Sequence, residues 1–175
     1  MRSKMRRAIA ELVFGTVLVT LVASCATGTS SVPGTDLLDL INQKRAENNC
    51  KPVIGNEQLR IAAERHAVDM RDNNAHLIPG PTPDLTGHMG SAYSIPPHST
   101  PPQRITAAGF SYSKWGEIVY WSPQPSSAAE NINWWMNSPP HRKIIQDCEF
   151  THAGVGLLYP GGTKWYSVVD FGKNP

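Results

Sequence analysis

Two stretches near the C-terminus decide the fold class: Ala153–Tyr159 reads AGVGLLY and Lys164–Phe171 reads KWYSVVDF, with Pro160-Gly161-Gly162-Thr163 between them. β-Branched and aromatic residues fill both runs, and a Pro/Gly tetrapeptide joining such runs spells a hairpin. Upstream the apolar spacing becomes helical. Ser127-Ala128-Ala129-Glu130 has capping-box form ahead of a helix carrying Ile132, Trp135 and Met136 on one side. That helix breaks at Ser138-Pro139-Pro140, and a further helical turn covers His141–Ile145. Trp115–Trp121 (WGEIVYW) reads as a short strand or extended segment, and Thr100 with Pro101 opens a short helix through Ala108 that Gly109 ends.

Further upstream, Asn56 caps a helix whose Leu59, Ala62, Ala63, His66, Ala67 and Met70 keep i, i+3, i+4 spacing, so this stripe is core and His66 is structural. A first helix runs from Thr35 or Asp36 to about Asn48, with Leu37, Leu40, Ile41 and Lys44 on one face. Helices before and strands after give an α+β class rather than alternating βαβ units. The segment from about Asn73 to Thr100 is dense in Pro, Gly, His and Ser, and a long aperiodic stretch of that kind is a functional loop or disordered.

The remaining N-terminal part reads as an address. Arg2, Lys4, Arg6 and Arg7 precede an apolar run, Leu12–Ala23, too short to cross a hydrocarbon core of about 30 Å comfortably, which is the form of a signal peptide over residues 1–24. The run ends in Leu21-Val22-Ala23-Ser24-Cys25, which resembles the bacterial lipobox, where the cysteine is acylated and becomes the mature N-terminus. An ordinary signal peptide cut near Ser24 or Ala26 is the alternative. Residues 25–34 are small and polar, as in a flexible tether, and residues 35–175 form one domain. The chain of 175 residues has sixteen Lys and Arg against fourteen Asp and Glu. Four of those basic residues and one acidic residue fall in the first 24, so the mature chain is near −1. No run of Lys or Arg survives outside the N-terminus, which argues against nucleic acid as a partner. Of three cysteines, Cys25 goes to lipid, and in an exported domain Cys50 and Cys148 are left to pair.

Three segments hold polar groups in unusual company: HMGS at 88–91, GEI at 116–118 and WMNSPPHRKII at 135–145, followed by FTHAGVG at 150–156. Their order and surroundings resemble the bacterial branch of the CAP superfamily (cysteine-rich secretory proteins, antigen 5, pathogenesis-related-1), or SCP domain, over roughly Asp36 to Gly172. The resemblance implies an α-β-α sandwich with a central antiparallel sheet and a cleft lined by two histidines and two carboxylates. Carried over by position, the cleft residues are His88, Glu117, Ser138 and His141, with Ser138 standing where many relatives have a second glutamate. Two imidazoles and a carboxylate can hold Zn²⁺ with water in the fourth position. His88 and His141 are therefore the implied metal ligands and zinc the implied cofactor, of modest affinity because serine is a poor ligand. Two departures stand out: Ala92-Tyr93-Ser94 replaces the D-G-S that often follows H-x-G-S, and Ile118 replaces the usual Asn after the glutamate. His76, His98 and His152 match no position of the family's cleft, and His76 is the exception to watch because it shares the long loop with His88.

The lipobox-like N-terminus and the family resemblance together imply an exported cell-envelope lipoprotein, or a secreted protein, that binds a lipid, sterol-like or other hydrophobic envelope ligand, with the membrane as its partner. The alternatives are a hydrolase, with Glu117 as general base beside a His88/His141 metal or with Ser138 as nucleophile beside His141, and a non-catalytic structural module.

Overall fold

The computed structural model describes residues 35–159 and 163–175, so the signal segment, the tether, Cys25 and most of the hairpin turn lie outside the described residues. Asn56 begins the clearest helix as its sequence demands: its side-chain oxygen accepts from Leu59 N at 3.0 Å, and Asn74 ends α2 (Glu57–Asn73) in the left-handed region with φ 56°. α1 spans Thr35–Ala46, α3 spans Pro101–Ala107 and α4 spans Ala128–Asn137, the last capped by Ser127, which accepts from Glu130 N at 3.2 Å. α5 begins at Pro139 and runs to Ile145, earlier than the sequence reading, because both prolines fit a first turn whose N–H groups need no intrahelical acceptor.

The strands are β1 (Ile54–Gly55), β2 (Lys114–Ser122), β3 (His152–Leu158) and β4 (Trp165–Lys173), in the order β1-β3-β4-β2. β3, β4 and β2 are antiparallel, as expected, whereas the two-residue β1 adds a parallel edge. Residues that alternate along each strand serve opposite layers. Ile118, Ala153, Val155, Val169 and Phe171 pack with Leu37, Ile41, Ile132, Trp135 and Ile145 from α1, α4 and α5. Val119, Val168 and Tyr166 pack with Ala63, Ala67 and Met70 of α2. The result is the expected α-β-α sandwich.

The departures found in the sequence have structural answers. Ile118 is fully buried in the α1/α4/α5 layer, so its place is one of packing. Where Ala92 stands instead of aspartate, the neighbouring loop is tied down from α2: Asp69 Oδ2 accepts from Ser91 N at 2.8 Å, and Ser91 Oγ donates to the same carboxylate. The Pro-rich segment is thus an ordered loop, with short 3₁₀ turns at Ala75–Leu77 and Pro83–Leu85. Cys50 and Cys148 form a disulfide with Cα atoms 4.8 Å apart.

Candidate functional site

Glu117 and Asp170 sit opposite one another in the antiparallel β2/β4 register, which puts both side chains on the α2/α3 side of the sheet. Both are buried. Arg104 reaches Glu117 from α3: its position on the buried stripe Pro101, Arg104, Ile105 drives the guanidinium inward. It donates to Glu117 Oε2 at 2.7 Å, to the His88 carbonyl at 2.9 Å and to the Ser99 carbonyl at 2.9 Å. His88 Nδ1 lies 2.8 Å from Glu117 Oε1, so both oxygens of that carboxylate are engaged. Burial alone would raise the Glu117 pKa, but Arg104, with His66 and His88, outweighs it and holds the carboxyl well below the usual range. Asp170 behaves oppositely: burial and then the Glu117 charge push its carboxyl well above the usual range, against the pull of Arg104. The two buried carboxyls are thus driven apart, Glu117 toward its ionised form and Asp170 toward its protonated form.

The ionised Glu117 orients the His88 ring and, whenever that ring is neutral, fixes its tautomer. In that form Nδ1–H donates to the carboxylate, and Nε2 is left as the lone-pair nitrogen. His66 is buried as expected for a stripe residue, donating from Nε2 to the Gly87 carbonyl at 2.8 Å, and burial lowers its pKa to about 4. His141 belongs to a second pair, its Nδ1 lying 2.7 Å from Ser138 Oγ at the junction of α4 and α5. The His141 ring also packs against Trp134, with centroids 5.0 Å apart.

The two pairs open on one cleft of about 540 Å³, lined by His88, Ser138 and His141 together with residues 119–123 at the free edge of β2. Glu117 stands behind His88 rather than in the cleft wall. A neighbouring cavity of about 380 Å³ shares His88, Pro140 and His141 and is lined also by Glu117. His76 joins the main cleft, the exception among the remaining histidines. Its Nδ1 donates to the Met70 carbonyl at 2.7 Å and its ring packs on Trp121 with centroids 4.5 Å apart. His98 is exposed in the loop, and His152 packs edge-on to Phe110. Sequence reading did not single out Arg104 or Asp170. The signal for Arg104 is a basic residue on an apolar helical stripe, and for Asp170 a lone acid in an otherwise apolar strand.

The zinc expectation meets a donor set of two imidazoles. Glu117 has both oxygens committed, and among the described residues no group of three or more His, Cys, Asp or Glu is placed to hold a metal ion. These residues do not make up a zinc site of the usual three protein ligands.

The model of the cysteine-rich secretory protein (CAP) family matches residues 38–171. YkwD of Bacillus subtilis is 30% identical over 125 residues, which cover 71% of this chain and 42% of that protein. The membrane protein YlbC of the same organism is 24% identical over 121 residues, 69% of this chain and 30% of its own length. The chain thus spans well under half of either relative. Among solved structures, an extracellular SCP-domain protein from Bacillus anthracis aligns with a TM-score of 0.62 at 23% identity, covering 79% of this chain and 39% of its own. An outer surface protein from Borrelia burgdorferi aligns with a TM-score of 0.65 at 21% identity, covering 82% of this chain and 97% of its own. With the family match running from α1 to β4 and the His88–Glu117 and Ser138–His141 pairs opening on one cleft, the chain belongs to the cysteine-rich secretory protein family.

Proposed function

We propose that this protein is an exported binding module, tethered to the cell envelope through an acylated Cys25, that holds an envelope ligand with an apolar face, such as a lipid, in the His88–His141 cleft. The observation that carries this reading is the state of Glu117. A carboxylate held by Arg104 and His88 at both oxygens, with its pKa depressed, is a weak base and has no free arm for a substrate. The group best placed for acid–base work is thereby spent on orienting His88, while half-exposed tryptophans and prolines line the cleft. Export is supported by the signal-like segment over residues 1–24, and by structural relatives that are an extracellular protein and an outer surface protein.

Mass spectrometry of the protein purified intact from its own envelope tests both halves. The expected result is a lipid-modified Cys25 and a stoichiometric small molecule that the His88→Ala variant retains at least tenfold less. An unmodified Cys25 with no retained molecule in the wild type refutes the reading.

One observation favours a second reading. Ser138 Oγ and His141 Nδ1 are 2.7 Å apart, the reach of a nucleophile and its base. Serine-directed fluorophosphonate decides between them: labelling at Ser138 that His141→Ala abolishes supports a hydrolase, and the binding reading expects none.

A further inference from the structure

The main cleft is chemically peculiar in three ways. Among the described residues that line it, none is Asp, Glu, Lys or Arg. Two tryptophans from different elements, Trp121 of β2 and Trp134 of α4, line it while remaining 40% and 49% exposed. Each is braced from the side, Trp121 by His76 at 4.5 Å and Trp134 by His141 at 5.0 Å and Tyr120 at 5.5 Å between centroids. The third peculiarity is the tautomers. His76 donates through Nδ1 to the Met70 carbonyl, and His88 donates through Nδ1 to the Glu117 carboxylate. In their neutral forms both rings therefore keep Nε2 as an acceptor, fixed by the protein and not by the ligand.

These features select a ligand class. An anion or a cation would meet no Asp, Glu, Lys or Arg among the described lining residues, and desolvating an unpaired charge is costly. A bare alkyl chain would cover the Thr86 hydroxyl and the Nε2 lone pairs of His76 and His88 without satisfying them. What fits is a neutral molecule with flat apolar faces and an edge rich in O–H donors. A pyranose ring has that form: its C–H face stacks on indole and its hydroxyls donate to imidazole nitrogen. We infer that the cleft is a subsite for a neutral oligosaccharide, with sugar faces on Trp121 and Trp134 and ring hydroxyls donating to Nε2 of His76 and His88. This inference rests on the reading of the cleft as a ligand-binding site, and it names the ligand's class.

The test is calorimetric and fluorescence titration of the full chain at pH 7.5. The probes are three uncharged trisaccharides (N,N′,N″-triacetylchitotriose, cellotriose and maltotriose), with dodecanol and lauric acid as chain-bearing comparators. The expected result is saturable binding of at least one trisaccharide with a change in tryptophan emission. Trp134→Ala and Trp121→Ala each weaken it at least tenfold, whereas Tyr93→Ala, at a residue 79% exposed and outside the cleft, leaves it unchanged. Both tryptophans are half exposed, so neither truncation removes a core side chain, and circular dichroism confirms the fold of each variant. Binding of dodecanol or lauric acid, lost in Trp134→Ala and without saccharide binding, overturns the inference and leaves the binding reading standing. Binding of neither class refutes both, and saccharide binding indifferent to both tryptophan variants overturns the inference.

Discussion

His66, Glu117 and Asp170 lie in one buried polar cluster, and each responds to pH in its own direction. Burial pushes His66 down to about 4, against the pull of Glu117. Its unfolded value is near the ordinary ~6.5, so between those pH values the unfolded chain binds a proton that the folded chain refuses. The associated stability is therefore complete above pH ~6.5 and is lost as pH falls toward 4; a shift of this size corresponds to about 3 kcal/mol. Glu117, held below the usual range, adds a loss in the same direction at lower pH, whereas Asp170, raised, gives stability that declines as pH climbs past ~4. The His66→Gln variant keeps an amide donor for the Gly87 carbonyl but has no titration. Urea unfolding at pH 7 and pH 4.5 should show the wild type losing ~2–3 kcal/mol more than His66→Gln over that span. Equal losses in the two proteins would show that His66 is not the group responsible.

At the level of elements, the Gly154-Val155-Gly156 run is a packing device rather than part of the cleft. A Cβ on Gly154 would stand 2.0 Å from Arg60 N, and one on Gly156 2.4 Å from the Ala63 carbonyl carbon. The obstruction is helix backbone in both cases, so α2 can lie on β3 only where β3 has no side chains. Gly156→Ala should destabilise the domain by ~1–3 kcal/mol or more, because no rotamer relieves the clash. Val155 faces the opposite layer, so Val155→Ala should cost a comparable amount by cavity formation instead. A Gly156→Ala protein melting within a degree of wild type would disprove the close-approach account. This contact also shows what was legible in the sequence. The stripe Leu59 to Met70, the Asn56 cap, the hairpin strands and the Ser138-Pro139-Pro140 break were readable because each carries a local signal of spacing or backbone chemistry. β1 was not, since two residues have no period and Ile54-Gly55 becomes a strand only through its partners His152 and Ala153. The site divided similarly. His88, Glu117, Ser138 and His141 came from motif resemblance, whereas Arg104 and Asp170 owe their roles to a helix–sheet contact and a cross-strand register that a linear reading does not contain.

At the scale of the whole molecule, two devices close the same seam between the end of α1 and the segment leading from α5 into β3. The Cys50–Cys148 disulfide spans 98 residues, and in the chain-entropy model a loop of that length restrains the unfolded state by ~4–5 kcal/mol. Arg45, fully buried, donates to four backbone carbonyls at the same seam: Lys51 at 3.1 Å, Ile145 at 2.8 Å, Asp147 at 2.9 Å and Phe150 at 2.9 Å. The disulfide acts on the unfolded ensemble and Arg45 on the native state, so denaturant titration separates them. In the Cys50→Ser/Cys148→Ser variant the unfolded chain expands, and the m-value should rise while stability falls by ~2–5 kcal/mol. In Arg45→Met the unfolded chain is unchanged, so the m-value should hold while stability falls by ~3 kcal/mol or more, because four carbonyls lose their donor. No residue of this seam lines the main cleft, so ligand affinity at low denaturant should be the same in both variants as in wild type. An m-value that rises equally in both, or an affinity that falls with the disulfide alone, would mean that the seam and the cleft are coupled and that the staple shapes the native state as well as the unfolded one.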